Sequence, residues 1–254
     1  MKIGFFDSGL GGLTVLKTVR ELLPQYEYLY YGDTAHLPYG DKTSEEILTF
    51  TRYAVQYLFD RDVVLVIVAC NTASAEAVRI LQDTMLVGQY KDRRILGVII
   101  PTIEELIERH VHNALLIGTM RTISSKKYEY EIDQLSHKIA LSSEATPHLV
   151  PYIETGDMDG AREKVKSVID SKMGEIDTVI LGCTHYTVLK DFIRDSYKNL
   201  NVMSQDEIIP KKLRLYLDKH TELESLLGRR GTIEIVLSKE TPQYEKIKRD
   251  LFNV

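Results

Sequence analysis

The chain has 254 residues, 44% hydrophobic and 27% charged, with a mean hydropathy of −0.16. This is the composition of a soluble globular protein with room for one large domain or two of ordinary size. A net charge of −5 and a pI near 5.8 provide no global basic field for nucleic acid, and no apolar stretch reaches the roughly 20 residues of a membrane-spanning helix.

Residues 1–7 read as a short strand that opens the fold, not as a signal peptide. Apolar runs followed by turn residues recur at 2–7, 26–33, 63–70, 94–100, 114–119, 176–183 and 232–237. Most are continuously apolar, as strands buried on both faces of a parallel sheet must be. Between them the spacing turns helical: Leu16, Val19 and Leu23; Val78, Leu81 and Met85; Val165, Val168 and Ile169. Strands alternating with helices predict an α/β fold with doubly wound parallel sheets. Ligands of such sheets bind beyond the carboxyl ends of the strands, where Asp7, Asp33, Cys70, Thr119 and Cys183 fall.

A strand that ends in Cys and small polar residues occurs once in each half, at 63–74 and again at 176–185, and these are the only two cysteines. Two similar lobes facing each other account for this better than one sheet. The first is expected over 1–96, with about 206–254 returning to it through a strand at 232–237 and a helix at 244–251; the second spans 97–205. Residues 228–231 read as a surface loop.

The thiolate is the reactive form of cysteine, and a helix N-terminus favours it. Cys70 precedes Asn71 and Thr72 and then a helical run; Cys183 precedes Thr184 and a helix expected over 186–194. Each junction can hold an anion, either the thiolate or a substrate carboxylate. The competing reading, that both cysteines are buried small hydrophobes, is common for a free Cys but leaves the duplicated context unexplained. A reducing cytoplasm with free thiols is the expected setting. Zinc needs three or four ligands and only His185 accompanies either Cys, so no metal is expected; no CxxC pair exists for redox work.

The turn Asp7-Ser8-Gly9-Leu10-Gly11-Gly12-Leu13-Thr14 fails the dinucleotide fingerprint, because Thr14 stands where its last glycine belongs. Its glycines still allow close backbone approach to a ligand; alternatively it is a tight strand-to-helix turn in which Asp7 only caps the helix. The loop 31–40, with Pro38, Tyr39 and Gly40, reads equally as a ligand loop and as a plain connection.

Five segments in order, FDSGLGGLTVL (6–16), YYGDTAHLPYG (30–40), VACNTASA (68–75), GTMRTISS (118–125) and LGCTHY (181–186), resemble the glutamate racemases of the cofactor-independent aspartate/glutamate racemase superfamily. The likeness runs to about residue 205. It implies two α/β lobes with the active site in the cleft between them, and isomerase chemistry without cofactor or metal. Cys70 and Cys183 would exchange the α-proton of glutamate from opposite faces, Cys70 deprotonating the D and Cys183 the L enantiomer. Asp7 would assist Cys70, His185 would assist Cys183, and Glu154 would orient His185. Ser8, Pro38, Tyr39, Gly40, Asn71, Thr72, Thr119, Thr122 and Thr184, together with Asp7 and His185, match substrate-binding positions. The resemblance further implies D-glutamate supply for peptidoglycan, a cytoplasmic homodimer, and no nucleic-acid or membrane partner.

The chain departs from the family pattern at several places. His36 and Leu37 replace Arg and Val, Ile100 replaces Glu, Arg121 replaces a small residue, Thr187 replaces Pro, and Ser204-Gln205 replace Asp-Ser. An aspartate racemase, or a racemase of another acidic amino acid, would share every catalytic residue named above. A non-catalytic regulatory protein remains a third reading, against which the intact cysteine pair stands.

Overall fold

The computed structural model describes residues 1–135 and 138–252. Its nine described strands are β1 (Lys2–Asp7), β2 (Tyr28–Gly32), β3 (Val63–Val68), β4 (Arg94–Gly97), β5 (Asn113–Gly118), β6 (Ala140–Ala145), β7 (Thr178–Gly182), β8 (Asn201–Met203) and β9 (Ile233–Leu237). They form two sheets, β4-β3-β1-β2-β9 and β6-β5-β7-β8, and every pairing is parallel. The fold is therefore two doubly wound α/β lobes.

Strand composition explains these positions. All six residues of β3, VVLVIV, are buried. Complete burial of one such side chain is worth about 2 kcal/mol, so this strand gains on the order of 10 kcal/mol, before chain entropy, by lying inside the sheet. Alternate residues serve opposite faces. Ile3 and Phe5 pack with the helix Gly12–Leu22 (Leu13, Leu16, Val19) and the helix Gln205–Lys219 (Ile209, Leu213, Leu217). Phe6 packs the other way, with Ile47, Val55 and Leu58 of the helix Ser44–Phe59 and with Leu81. The second sheet repeats the scheme: Leu115, Ile117 and Leu181 face Val165 and Ile169, while Leu116 and Ile180 face Ile103, Leu106 and Tyr128.

Three expectations need correction. The run 94–100 is a strand only to Gly97, and Ile99 opens the helix Ile99–Glu108, whose first turn tolerates Pro101. The segment after Cys183 is first a tight 3-10 helix, Thr184–Leu189; the α-helix Lys190–Ser196 begins a turn later than the expected start at 186. Strands β6 and β8 had no counterpart in the apolar runs. Both are edge strands of the second sheet; β6 (ALSSEA) is nowhere fully buried and β8 is three residues long, so neither shows a buried-strand pattern.

The carboxyl ends of β1, β3, β5, β6 and β7 meet where the two lobes face each other. Gly11, just beyond β1, packs so closely on Thr184, just beyond β7, that a Cβ at residue 11 would lie 2.9 Å from Thr184 Cβ. A glycine is what allows this approach between lobes. Among the described residues no helix is long and apolar enough to cross a membrane.

Candidate active site

A cavity of about 50 Å³ lies between the lobes, and both thiols line it. Ser8, Pro38, Tyr39, Gly40, Cys70, Asn71 and Thr72 come from the first lobe, and Thr119, Cys183, Thr184 and His185 from the second. Three other predicted site residues stand behind this lining. Asp7 is fully buried below it, Thr122 backs Thr72 and Thr119, and Glu154 backs His185.

Cys70 caps the helix Asn71–Glu76: its Sγ accepts the Ala73 N–H at 3.4 Å and its thiol donates to Ser8 Oγ at 3.4 Å. Burial pushes this thiol from 9.0 up to about 12; the Asp7 charge pushes the same way, and the Ser8 and Ala73 hydrogen bonds only partly oppose them. The helix N-terminus does not offset this burial, so the resting form is the thiol. Asp7 does not hydrogen-bond Cys70. Its carboxylate accepts the Gly9 N–H at 3.0 Å and the Thr184 hydroxyl at 3.2 Å, across the lobe boundary. Burial raises the Asp7 pKa against the lowering effects of His185 and these hydrogen bonds.

Cys183 has a different surrounding. No side-chain capping bond forms on its 3-10 helix, and its Sγ lies 3.8 Å from His185 Nδ1. His185 Nε2 is in turn 3.1 Å from Glu154 Oε1, on the helix Leu149–Thr155. Burial works against charge on this imidazole, but the hydrogen bonds to Cys183 and Glu154, with the charges of Cys183 and Asp7, hold it protonated well above the usual histidine range. The anticipated helix N-terminus is thus absent at Cys183, and His185 is the polar group beside its sulfur.

The hydroxyls of Thr72, Thr119 and Thr122 form a triangle with edges of 2.9, 3.1 and 3.0 Å, joining the lobes on one wall. The loop carrying Pro38, Tyr39 and Gly40 is anchored from behind by buried Asp33. That carboxylate accepts from Tyr39 Oη at 2.7 Å and Ser238 Oγ at 2.8 Å, and lies 2.9 Å from His36 Nδ1. His36, one of the departures, also stacks on Phe50 with ring centroids 3.9 Å apart. It therefore contributes to the loop's support and not to the cavity wall.

The remaining departures are mostly remote from the cavity. Arg121 donates from Nε to Lys42 O at 3.0 Å and sits 3.9 Å from Glu76, linking the two lobes outside the cleft. Ile100 is half exposed and lines a separate cavity of about 440 Å³ with Lys212 and Tyr216. Thr187 Oγ1 lies 3.5 Å from Ser204 Oγ. Leu37 alone among the replaced residues reaches the cavity lining.

Sequence reasoning missed Asp41, Met120, Thr146, Pro147, Val150 and Pro151 as lining residues. Thr146 and Pro147 follow β6, so recognising that polar edge strand would have located them at a strand's carboxyl end. Thr146 also shares a 2.8 Å hydrogen bond with Tyr186.

Two parallel-sheet lobes enclosing a thiol from each side define an isomerase of the racemase class. The chain belongs to the Asp/Glu/Hydantoin racemase family, whose model matches residues 13–207. It is 38% identical over 238 residues to the glutamate racemase of Ruegeria pomeroyi, covering 88% of this chain and 87% of that one. The crystal structure of glutamate racemase isoform RacE1 from Bacillus anthracis superposes with a TM-score of 0.87 at 28% identity, over all of this chain and 94% of that one. Glutamate racemase from Francisella tularensis, solved in complex with D-glutamate, gives 0.86 at 27% identity with the same coverage.

Proposed function

We propose that this protein interconverts L- and D-glutamate, with Cys70 and Cys183 exchanging the Cα proton from opposite faces. The observation that carries this reading is the chain's only two cysteines, free and buried, lining one cavity from two lobes. Glutamate as substrate follows from the relatives that match nearly the whole chain.

An amino-acid Cα–H is a very weak acid, so its base must be desolvated, aligned and close. In the L-to-D direction the Cys183 thiolate takes the proton, and the bond's electron pair stays on Cα, delocalised into the α-carboxylate. The Cys70 thiol then gives its proton to the opposite face. Cys183 ends as thiol and Cys70 as thiolate, and the D-to-L direction reverses each transfer. No added electron sink is required by this balance. Cys70 rests with its proton, ready to donate it, and His185 lies 3.8 Å from Cys183 Sγ, where it can exchange a proton with that sulfur. Asn71, the Thr72 and Thr119 hydroxyls, with Thr122 behind them, and the Thr184 backbone supply donors for the carboxylate on which charge develops.

In the same reading the lobes join near residues 97 and 205, the working unit is a cytoplasmic homodimer, and the product D-glutamate feeds peptidoglycan synthesis. Racemisation of L- and D-glutamate, followed by circular dichroism without added cofactor, tests the assignment. Turnover of glutamate supports it; turnover of aspartate in its place would move the substrate and keep the chemistry.

A further inference from the structure

Asn71 follows Cys70 directly, is 2% exposed and lines the cavity, yet the hydrogen bonds that orient its amide come from elsewhere in the fold. Its Oδ1 accepts from the Tyr128 hydroxyl at 2.7 Å and from Gln205 Nε2 at 3.5 Å. Tyr128 belongs to the helix Lys127–Gln134 of the second lobe; Gln205 begins the helix Gln205–Lys219, which packs on the first-lobe sheet. Both residues are completely buried, and neither reaches the cavity lining. Asn71 Nδ2 has no partner among the described residues.

A buried amide with an unused N–H pair is costly unless something else accepts it. An amide can also turn about its last torsion, exchanging its oxygen and nitrogen. With Oδ1 on Tyr128 Oη and Gln205 Nε2 the NH₂ group is left unpaired; the reverse placement would need Gln205 to turn as well and present its Oε1, which likewise has no partner among the described residues. Burial holds the Tyr128 phenol neutral, so it keeps the proton it donates.

We propose that Tyr128 and Gln205 are positioning residues, which fix the Asn71 amide with its NH₂ group free to bind a carboxylate oxygen of the substrate. The assignment rests on the glutamate reading above. It also gives Gln205, where the family pattern has Ser, a definite task in this chain. Because the two donors come from different elements packed at the lobe junction, the amide is oriented only when the lobes are assembled as they are here.

Tyr128→Phe keeps the ring and removes only the hydroxyl. It is expected to raise KM for both glutamate enantiomers about tenfold, the worth of one hydrogen bond to a charged group, while kcat falls much less. Two further variants fix the sign. Gln205→Met leaves Tyr128 to hold the amide, whereas Gln205→Glu in its ionised form offers only acceptors and turns the Asn71 NH₂ away from the substrate; at a pH where that carboxyl is ionised, KM should rise more in the glutamate variant. Thermal unfolding is read alongside. An unchanged KM in Tyr128→Phe, an equal KM in the two Gln205 variants, or KM and kcat changes that simply track lost stability would each overturn the proposal. Absence of glutamate turnover in the unaltered protein would instead overturn the substrate reading on which it rests.

Discussion

The two cysteine junctions are built alike from strand to turn, yet their electrostatics oppose one another. Cys70 lies on a proper helix N-terminus, hydrogen-bonded to a hydroxyl and a backbone N–H, and the Asp7 carboxylate opposes its ionisation. Cys183 opens a 3-10 helix, makes no capping bond, and has an imidazole at 3.8 Å that a glutamate supports. The first setting keeps a proton on sulfur and the second provides a cation to receive sulfur's negative charge. In the proposed reaction this difference would let one sulfur act as acid while the other acts as base.

Removing either sulfur is the harshest way to break the comparison. Cys70→Ser and Cys183→Ser are each expected to lose racemisation by about 10³-fold or more, measured as the change in optical rotation of either enantiomer, because a hydroxyl is a far weaker acid than a thiol. Comparable turnover in either variant would leave the two-thiol account without support.

His185→Asn comes next, with kcat reduced roughly 100-fold by loss of the assisting cation. Since the substrates are enantiomers, kcat/KM must fall equally in both directions, so the separate effect on each thiol is read by alkylation. Iodoacetamide should label Cys183 faster than Cys70 in the unaltered protein, and His185→Asn should slow the Cys183 reaction specifically, both sites being located by mass spectrometry. Asp7→Asn should act with the opposite sign at the other site. Deleting the carboxylate that pushes the Cys70 pKa up makes its thiolate more accessible, so Cys70 is labelled faster at a given pH even as catalysis declines.

The smallest effect lies outside both junctions. Hydrogen bonds from Arg194, opposed by burial and joined by Lys190, hold the Glu207 pKa down from 4.5 to about 2. A depressed carboxylate pKa stabilises the fold above pH 4.5 and loses that contribution as pH falls towards 2. Glu207 is partly solvent-screened, which reduces the contribution to about 1 kcal/mol. Glu207→Gln should therefore lower Tm by about 2–4 °C at neutral pH, with the difference shrinking below pH 4.5, and leave the labelling order of the thiols intact.

The positions of both thiols were readable in the chain before its structure, but the contrast between them was not: both junctions read as equivalent helix N-termini, and only the structure shows the 3-10 helix after Cys183. Seven apolar runs located seven strands, and the placement of Cys70, Asn71, Thr72, Cys183 and Thr184 at strand ends follows from parallel-sheet geometry alone. What escaped is physically consistent. Polar edge strands such as β6 bury too little to leave an apolar run, and Thr146 and Pro147 were missed with it. Tyr128 and Gln205 act on Asn71 from separate elements, through contacts spanning 57 and 134 positions of sequence, which no local pattern records. Arg121 stood out because of the motif it occupies, whereas its side chain turns to Lys42 and Glu76 and away from the cavity.

Solvent deuterium incorporation at Cα, followed by NMR from L- and from D-glutamate separately and without added cofactor, bears most directly on the two-thiol account. In a first turnover the inverted product should carry deuterium while unreacted substrate keeps its proton, because one sulfur removes the hydrogen and the other delivers solvent-derived hydrogen from the opposite face. Product that retains the original proton, or substrate that exchanges without inversion, would require a single base and contradict the account.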